Sequence, residues 1–200
     1  MSDLELLTLQ ALKINYSIIG SNEKGNIYFT TANGKDCILT KETQELWKKE
    51  LNLENITQKE VISQLAEAEK FGPFHPLDCM IIAPITGNSI AKLANGITDN
   101  AVLMTAKTTL RNRKPVVLAP FTNDALAMNG VNIMKLLNTK KIFFVPFGQD
   151  DPIKKPTSMT SDLSKLNDTV ILAINNEEQI QPVIIDKISP SKFKFTCNKY

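Results

Sequence analysis

Glycine is scarce in this chain, and each one stands alone. None of the eight glycines among 200 residues neighbours another, so neither a G-x-G-x-x-G turn nor a Walker-type phosphate loop can be written anywhere along it. That excludes a dinucleotide site of the usual kind, and any redox role must draw on another cofactor or on a partner. Histidine is scarcer still. His75 is the only one, set between Phe74 and Pro76, and it reads as a loop or interface residue ahead of a catalytic one. Cys37, Cys79 and Cys197 are odd in number and far apart. No metal-ligand spacing and no Ser/His/Asp set can be recognised. The cysteines read as reduced cytoplasmic thiols, with Cys79 buried and inert inside an apolar segment.

An excess of one charge is also missing. Twenty-three Lys and Arg against 21 Asp and Glu leave a formal net charge of +2, which indicates neither nucleic acid nor a membrane surface as partner. No apolar run approaches the roughly 18 residues of a membrane helix. The opening "MSDLELLTLQ" has no basic n-region and no cleavage site, so no signal peptide is expected and the expected location is the cytoplasm. What is present, 42% hydrophobic and 22% charged residues, is the composition of a soluble globular protein. The length suits one domain, 1–200, with 188–200 as a frayed tail. A chain of this size buries roughly 70% of its unfolded surface and needs no metal or disulfide to hold a core.

Along the chain, Leu4, Leu7 and Ala11 fall at helical spacing and predict a helix over 3–13. "INYSIIGS" reads as a strand, and "NEKGNIYFTTANGKDC" as a loop or a weak hairpin. Thr40 would cap a helix through Leu51, and Thr57 with Glu60 forms a capping box for a helix through Lys70. The second half is clearer. "CMIIAPI", "PVVLAP" and "KIFFVPF" are apolar strands of the kind found where both faces of a parallel sheet are covered. Helical stripes lie between them: Ile90, Leu93, Ala94 and Ile97; then Leu103, Ala106 and Leu110; then Leu126, Ile133, Met134 and Leu137 within 123–138. After the polar loop "GQDDPIKKPTSMTSD", a helix is expected over 163–175 and a last strand at "QPVIID". The alternation predicts an α/β fold, a three-layer, Rossmann-like, doubly wound parallel sheet.

In open α/β sheets, ligands bind beyond the carboxyl ends of the strands. Three such ends carry unusual polar residues: Thr86, Gly87, Asn88 and Ser89; Thr122, Asn123 and Asp124; and Gly148, Gln149, Asp150 and Asp151. Parallel neighbours would gather all three along one edge. In "TGNS", Gly87 would let backbone approach a ligand and Asn88 or Ser89 would cap the next helix. The free N–H groups there would favour a phosphate or a ring carbonyl. An ordinary strand-to-helix turn stays open as the alternative, and so does plain N-capping by Asn123 and Asp124. Arg111 and Arg113, the only arginines, sit together in "LRNRKP", where helix capping and surface charge are the safer reading.

The stretch "PLDCMIIAPITGNSIAKLANGITDNAVLMTAKTTLRNRKPVVLAPFTNDALAMNGVNIMKLLNTKKIFFVPFGQDDPIKKP" resembles the flavoprotein family that includes phosphopantothenoylcysteine decarboxylase and the flavin prenyltransferases. The resemblance covers roughly residues 72–162. "TGNS" occupies the place of the family's flavin loop, "NGITDN" its helix junction and "TNDALAMN" its Pro-x-x-Asn type segment, while "PFGQDDPIKKP" is characteristic of the dipicolinate subgroup. The resemblance implies flavin mononucleotide (FMN) as cofactor, with Thr86, Gly87, Asn88, Ser89 and Asn123 binding it and Asp124, Gln149 and Asp150 orienting substrate. It assigns no general base, and the catalytic residues stay unknown. It further implies oxidation of a dihydro or hydroxytetrahydro precursor to dipicolinate, a pyridine dicarboxylate of bacterial spores, in the mother-cell cytoplasm. The partner would be the A subunit of a dipicolinate synthase, which carries the NAD(P) site, and homo-oligomers are expected. Two other assignments stand beside it: a non-catalytic structural subunit, and an independent FMN-dependent decarboxylase or prenyltransferase. Relatives begin with a strand and a Gly-Ser loop that receives the flavin phosphate. This chain reads as lacking that first strand and phosphate loop, since Gly20–Ser21 follows what reads as the second strand.

Overall fold

The computed structural model describes residues 16–21, 27–31, 62, 64–74 and 76–184. Strand β1 (Tyr16–Ser21) and strand β2 (Ile27–Thr31) pair antiparallel, with the register shifting between Ile18 and Ser21. Ile27–Thr31, within the stretch expected as a loop or a weak hairpin, is therefore a strand. Helix α1 (Leu65–Glu69) precedes β3 (Met80–Ile85), α2 (Gly87–Ala94), α3 (Ala101–Arg111) and β4 (Val116–Thr122). Then come α4 (Gly130–Leu137), β5 (Ile142–Phe144), β6 (Phe147–Gly148), β7 (Met159–Ser161), a 3₁₀ turn (Leu163–Lys165) and α5 (Leu166–Asn175).

Strand β4 lies at the centre, parallel to β3 on one side and to β5 on the other. Alternate residues divide the core between two faces, as a pleat with period two requires. Met80, Ile82, Val116, Leu118, Ile142 and Phe144 pack against Ile90 of α2, Val102 and Ala106 of α3, and Ile133 and Leu136 of α4. Ile81, Val117, Ala119, Phe143 and Val145 turn the other way, onto Leu166 and Ala173 of α5. Helices thus cover both faces, the three layers expected. Ile82, Leu118 and Phe144 are essentially fully buried, each contributing about 1.5–3 kcal/mol relative to an exposed side chain. That packing fixes where the strands end, and the strand ends place the polar residues.

Toward its carboxyl end the sheet departs from a purely parallel plan. Phe121 and Thr122 of β4 pair antiparallel with Thr160 and Met159 of β7, which pairs antiparallel with β6. "KIFFVPF" is therefore two strands, interrupted at Val145–Pro146, where proline has no N–H to give a ladder. The helix expected over 123–138 begins only at Gly130. The reason is that Leu126 donates its N–H to the carbonyl of Thr157, 3.0 Å away, instead of to its own turn. Leu126 and Met134, expected on the apolar side, are both more than half exposed. Ile97 likewise falls beyond α2, which ends at its C-cap Asn95. The described part of "QPVIID" forms a single bridge, Val183 to Phe147. Arg111 lies in the last turn of α3 beside the C-cap Asn112, as a cation at a helix C-terminus should.

The helices expected at 3–13 and 40–51, the Thr57–Glu60 box, His75 and the tail lie outside the described residues, as does any strand ahead of Tyr16. Gly20–Ser21 closes β1, whose neighbour in the ladder is β2. Among the described residues, no helix is long and apolar enough to cross a membrane.

Candidate functional site

The apolar run of β3 passes into α2 at Thr86. Its backbone is extended (φ −83°, ψ 161°), its carbonyl accepts from Ile90 N–H at 2.9 Å, and its hydroxyl accepts from Ser89 N–H at 3.5 Å. Thr86 is thus the N-cap. Asn88 and Ser89, the expected caps, already lie inside the helix. A cap must be extended while its carbonyl takes the first helical bond, and only Thr86 meets that condition. Ser89 is buried beside the Thr86 hydroxyl. Asn88 is exposed. Neither its amide nor the N–H groups of Gly87 and Asn88 find an acceptor among the described residues. This helix start therefore keeps open donors.

Gly87 has a different physical role from the one its place in "TGNS" suggests. A Cβ there would lie 2.6 Å from Asp124 Oδ1, 2.6 Å from Thr122 Oγ1 and 2.7 Å from Asn129 Nδ2. The space a side chain would fill is taken by the protein's own polar groups, so the missing Cβ lets the first strand end close onto the second. There the Asp124 carboxylate accepts from the Thr122 hydroxyl on one oxygen. On the other it accepts from the Asn129 amide at 2.7 Å. Such groups are stable inside only when their hydrogen bonds are made. Asp124 and Asn129 therefore do not cap α4. Asn129 occupies the N-cap position without a side-chain capping bond, because its amide is turned to Asp124.

The chain of amides continues. Asn132 donates to Asn129 Oδ1 at 2.9 Å, and Asn95 donates to Asn132 Oδ1 at 3.4 Å and to the Ala91 carbonyl at 2.8 Å. Lys135 Nζ donates to Asn95 Oδ1 at 3.4 Å. Sequence reasoning singled out Asp124 but left Asn95, Asn129, Asn132 and Lys135 out of the site. A signal was there: Asn129, Asn132 and Lys135 recur every three residues, one face of a helix.

The third strand end is organised separately. Gln149 donates to the Pro156 carbonyl at 2.7 Å, and Asp150 pairs with Lys155 at 3.1 Å. Asp151 Oδ1 accepts from the N–H groups of Ile153 and Lys154. A hydrogen bond from Ser158, with help from Lys155, holds the Asp150 carboxyl below the usual aspartate range. Gly148 lies against Ile184. This loop reaches the second strand end through Thr157, whose hydroxyl donates to the Asn123 carbonyl at 2.6 Å. Asn123 itself is exposed, and its side chain takes no part in the Asp124 cluster. The structure thus brings Thr86–Ser89 and Asp124 together, sets Asn123 at their rim, and turns Gln149 and Asp150 into their own loop.

Cys79 is buried, and burial followed by the nearby charge of Asp78 pushes its thiol up to about 12, so it is inert at neutral pH. Among the described residues, no group of His, Cys, Asp and Glu could hold a metal ion.

The family model described as Flavoprotein matches residues 30–189. The B subunit of dipicolinate synthase from Bacillus subtilis (strain 168) is 52% identical over 140 residues, covering 70% of this chain and 68% of that protein. The coenzyme A biosynthesis bifunctional protein of Methanocaldococcus jannaschii is 32% identical over 112 residues, 54% of this chain and 27% of that one. The crystal structure of the dipicolinate synthase B subunit from Bacillus halodurans C superposes with a TM-score of 0.68 at 46% identity, covering 78% of each chain. The family match spans the three parallel strands and the three polar strand ends that follow β3, β4 and β6, and on that ground the chain belongs to the Flavoprotein family, with its Rossmann-like α/β fold.

Proposed function

We propose that this chain is the B subunit of a dipicolinate synthase. With the A subunit of that enzyme, which would carry NAD(P), it would oxidise a dihydro- or hydroxytetrahydro-dipicolinate precursor in the mother-cell cytoplasm of a sporulating bacterium. The observation that carries the reading is the start of α2. Exposed Asn88 follows Gly87, which lies directly on the cluster of buried Thr122 and Asn129 with half-buried Asp124, and the N–H groups of both residues have no acceptor among the described residues. A rigid floor beneath open donors is what a flat, carbonyl-bearing ring needs for orientation.

The residues present fit FMN at that ring. Asn88 and the N–H groups of Gly87 and Asn88 would meet its carbonyls, Thr86 and Ser89 would hold the turn, and Asn123 would stand at the rim. Bound there, the flavin would supply hydride or electron transfer, while the protein's part is to orient the ring and substrate. Asp124 supports this from beneath the helix start, and Gln149 and Asp150 shape the loop beside it. Met128, Val131, Met134 and Leu126, all more than half exposed next to the site, support assembly into a homo-oligomer, since such patches on a monomer are unusual.

The internal satisfaction of the Asp124 cluster favours a second reading, a structural subunit whose polar strand ends hold one another. Reconstitution separates the two. Purified chain, the A subunit, precursor, FMN and oxidised NAD(P) as electron acceptor should yield dipicolinate, and Asn88→Ala should lower the yield without loss of assembly. No dipicolinate under any flavin supply would contradict the first reading, and unchanged activity in Asn88→Ala would favour the second.

A further inference from the structure

Helix α1 and the turn after it form one wall of a groove of about 400 Å³, and α3 forms the other. Ala66, Pro73, Phe74 and Met104 give it an apolar lining, and Lys70, Lys107 and Arg111 stand around it with one carboxylate, Glu69. Lys107 and Arg111 are four residues apart on α3, hence neighbours on one helix face. None of the three cations has an ion-pair partner among the described residues. Three positive charges against one negative equal the net charge of the whole chain, +2, so elsewhere the charges cancel.

The walls are fixed. Ala68 and Phe71 are buried, and the Asn112 amide donates to the carbonyls of Gly72 at 2.9 Å and Phe71 at 3.4 Å. Phe74, three residues after Phe71, nevertheless remains 72% exposed. An exposed ring on a fixed wall, ringed by cations that have no ion-pair partner among the described residues, has the makeup of an interface, where aromatic, Met and Arg side chains are enriched. It does not suit a small ligand, because Thr108, the one buried polar residue among the described lining, has no hydroxyl proton to offer: it is spent on the Thr105 carbonyl at 3.0 Å.

We propose that the groove between α1 and α3 docks a partner protein through an acidic segment bearing an apolar anchor. This rests on the two-subunit reading above and takes the A subunit as that partner. The anchor packs against Phe74 and Met104, and the carboxylates meet Lys70, Lys107 and Arg111.

The test is calorimetric binding of the A subunit to the full chain, to Lys70→Glu/Lys107→Glu/Arg111→Glu, and to Phe74→Ala. Salt would be set at about 50 mM and about 300 mM, across which rim charges become screened. Reversing the charges should weaken binding about tenfold or more at low salt and abolish its salt dependence. Phe74→Ala should weaken binding about tenfold at both salts, and it keeps the test valid if the triple variant does not fold. FMN titration should be unchanged in both. Wild-type binding by both variants would overturn the groove while leaving the two-subunit reading intact. Failure of the wild-type chain to bind the A subunit would overturn both. Altered self-association of the triple variant, with its binding to the A subunit unchanged, would put a second copy in the groove and overturn the proposal.

Discussion

The second and third strand ends carry similar polar residues and do different things with them. After β4, Asp124 gathers Thr122 and Asn129 and closes onto Gly87 at the start of α2, joining two strand ends into one partly buried unit. After β6, Gln149, Asp150 and Asp151 bond within their own exposed loop, to Pro156, Lys155, Ser158, Ile153 and Lys154. A carboxylate partly buried among fixed donors positions a neighbouring helix, whereas one on an exposed loop folds only that loop. Position at a strand end is therefore not enough to make a polar residue part of a site. What matters is whether its partners come from another element.

The most forceful way to break the contrast is Gly87→Ala. With the new Cβ 2.6 Å from Asp124 and Thr122, something must shift. The expected cost is about 1–3 kcal/mol with loss of FMN binding, read by thermal denaturation and by flavin titration. Asp124→Ala comes next. It leaves the buried Asn129 amide without an acceptor, and about 1–3 kcal/mol should be lost in denaturant unfolding. The matching change in the other loop, Asp151→Ala, should cost less than about 1 kcal/mol, because the N–H groups of exposed Ile153 and Lys154 that it leaves can turn to water. If the two aspartates cost the same, the contrast fails.

Thr86→Ala removes the cap of α2 and should cost about 1 kcal/mol in the same experiment, while Asn88→Ala should leave unfolding unchanged because its side chain caps nothing. The smallest effect is on titration. Asp150 should titrate below the usual aspartate value by NMR, and Ser158→Ala should move it upward, since the Ser158 bond is the main cause of the lowering. A depressed carboxyl adds stability above its unfolded pKa and loses it as pH falls through the folded one. Ser158→Ala should therefore narrow the acid-side dependence of that loop's opening and leave neutral pH alone.

Much of this was legible in the sequence. Three apolar runs sufficed for the parallel strands, because burial on both faces leaves no room for alternation. The two helices after β3 followed from their stripes, although Ile97 fell outside α2. The antiparallel β6 and β7 were not legible. Strand β7 joins Thr160 to Phe121 of β4 across α4, β5 and β6, and no local pattern encodes it. The late start of α4 has the same origin, since the Leu126 N–H is claimed by distant Thr157. Within the site, "TGNS" identified the strand end. Thr, Asn and Ser are all good caps by type, however, and only the backbone angles at Thr86 decide among them. The Asn95–Asn132–Asn129 relay escaped notice because asparagines on helices look like surface residues until a partner from another helix meets them.

The most direct test of the central claim is an absorption titration of the purified chain with FMN, alongside Asn88→Ala. A saturable, perturbed flavin spectrum is expected, with affinity falling roughly two- to tenfold in the variant, the worth of one hydrogen bond, at unchanged thermal stability. No binding by the chain, even with the A subunit present, would contradict the placement of a flavin at the start of α2.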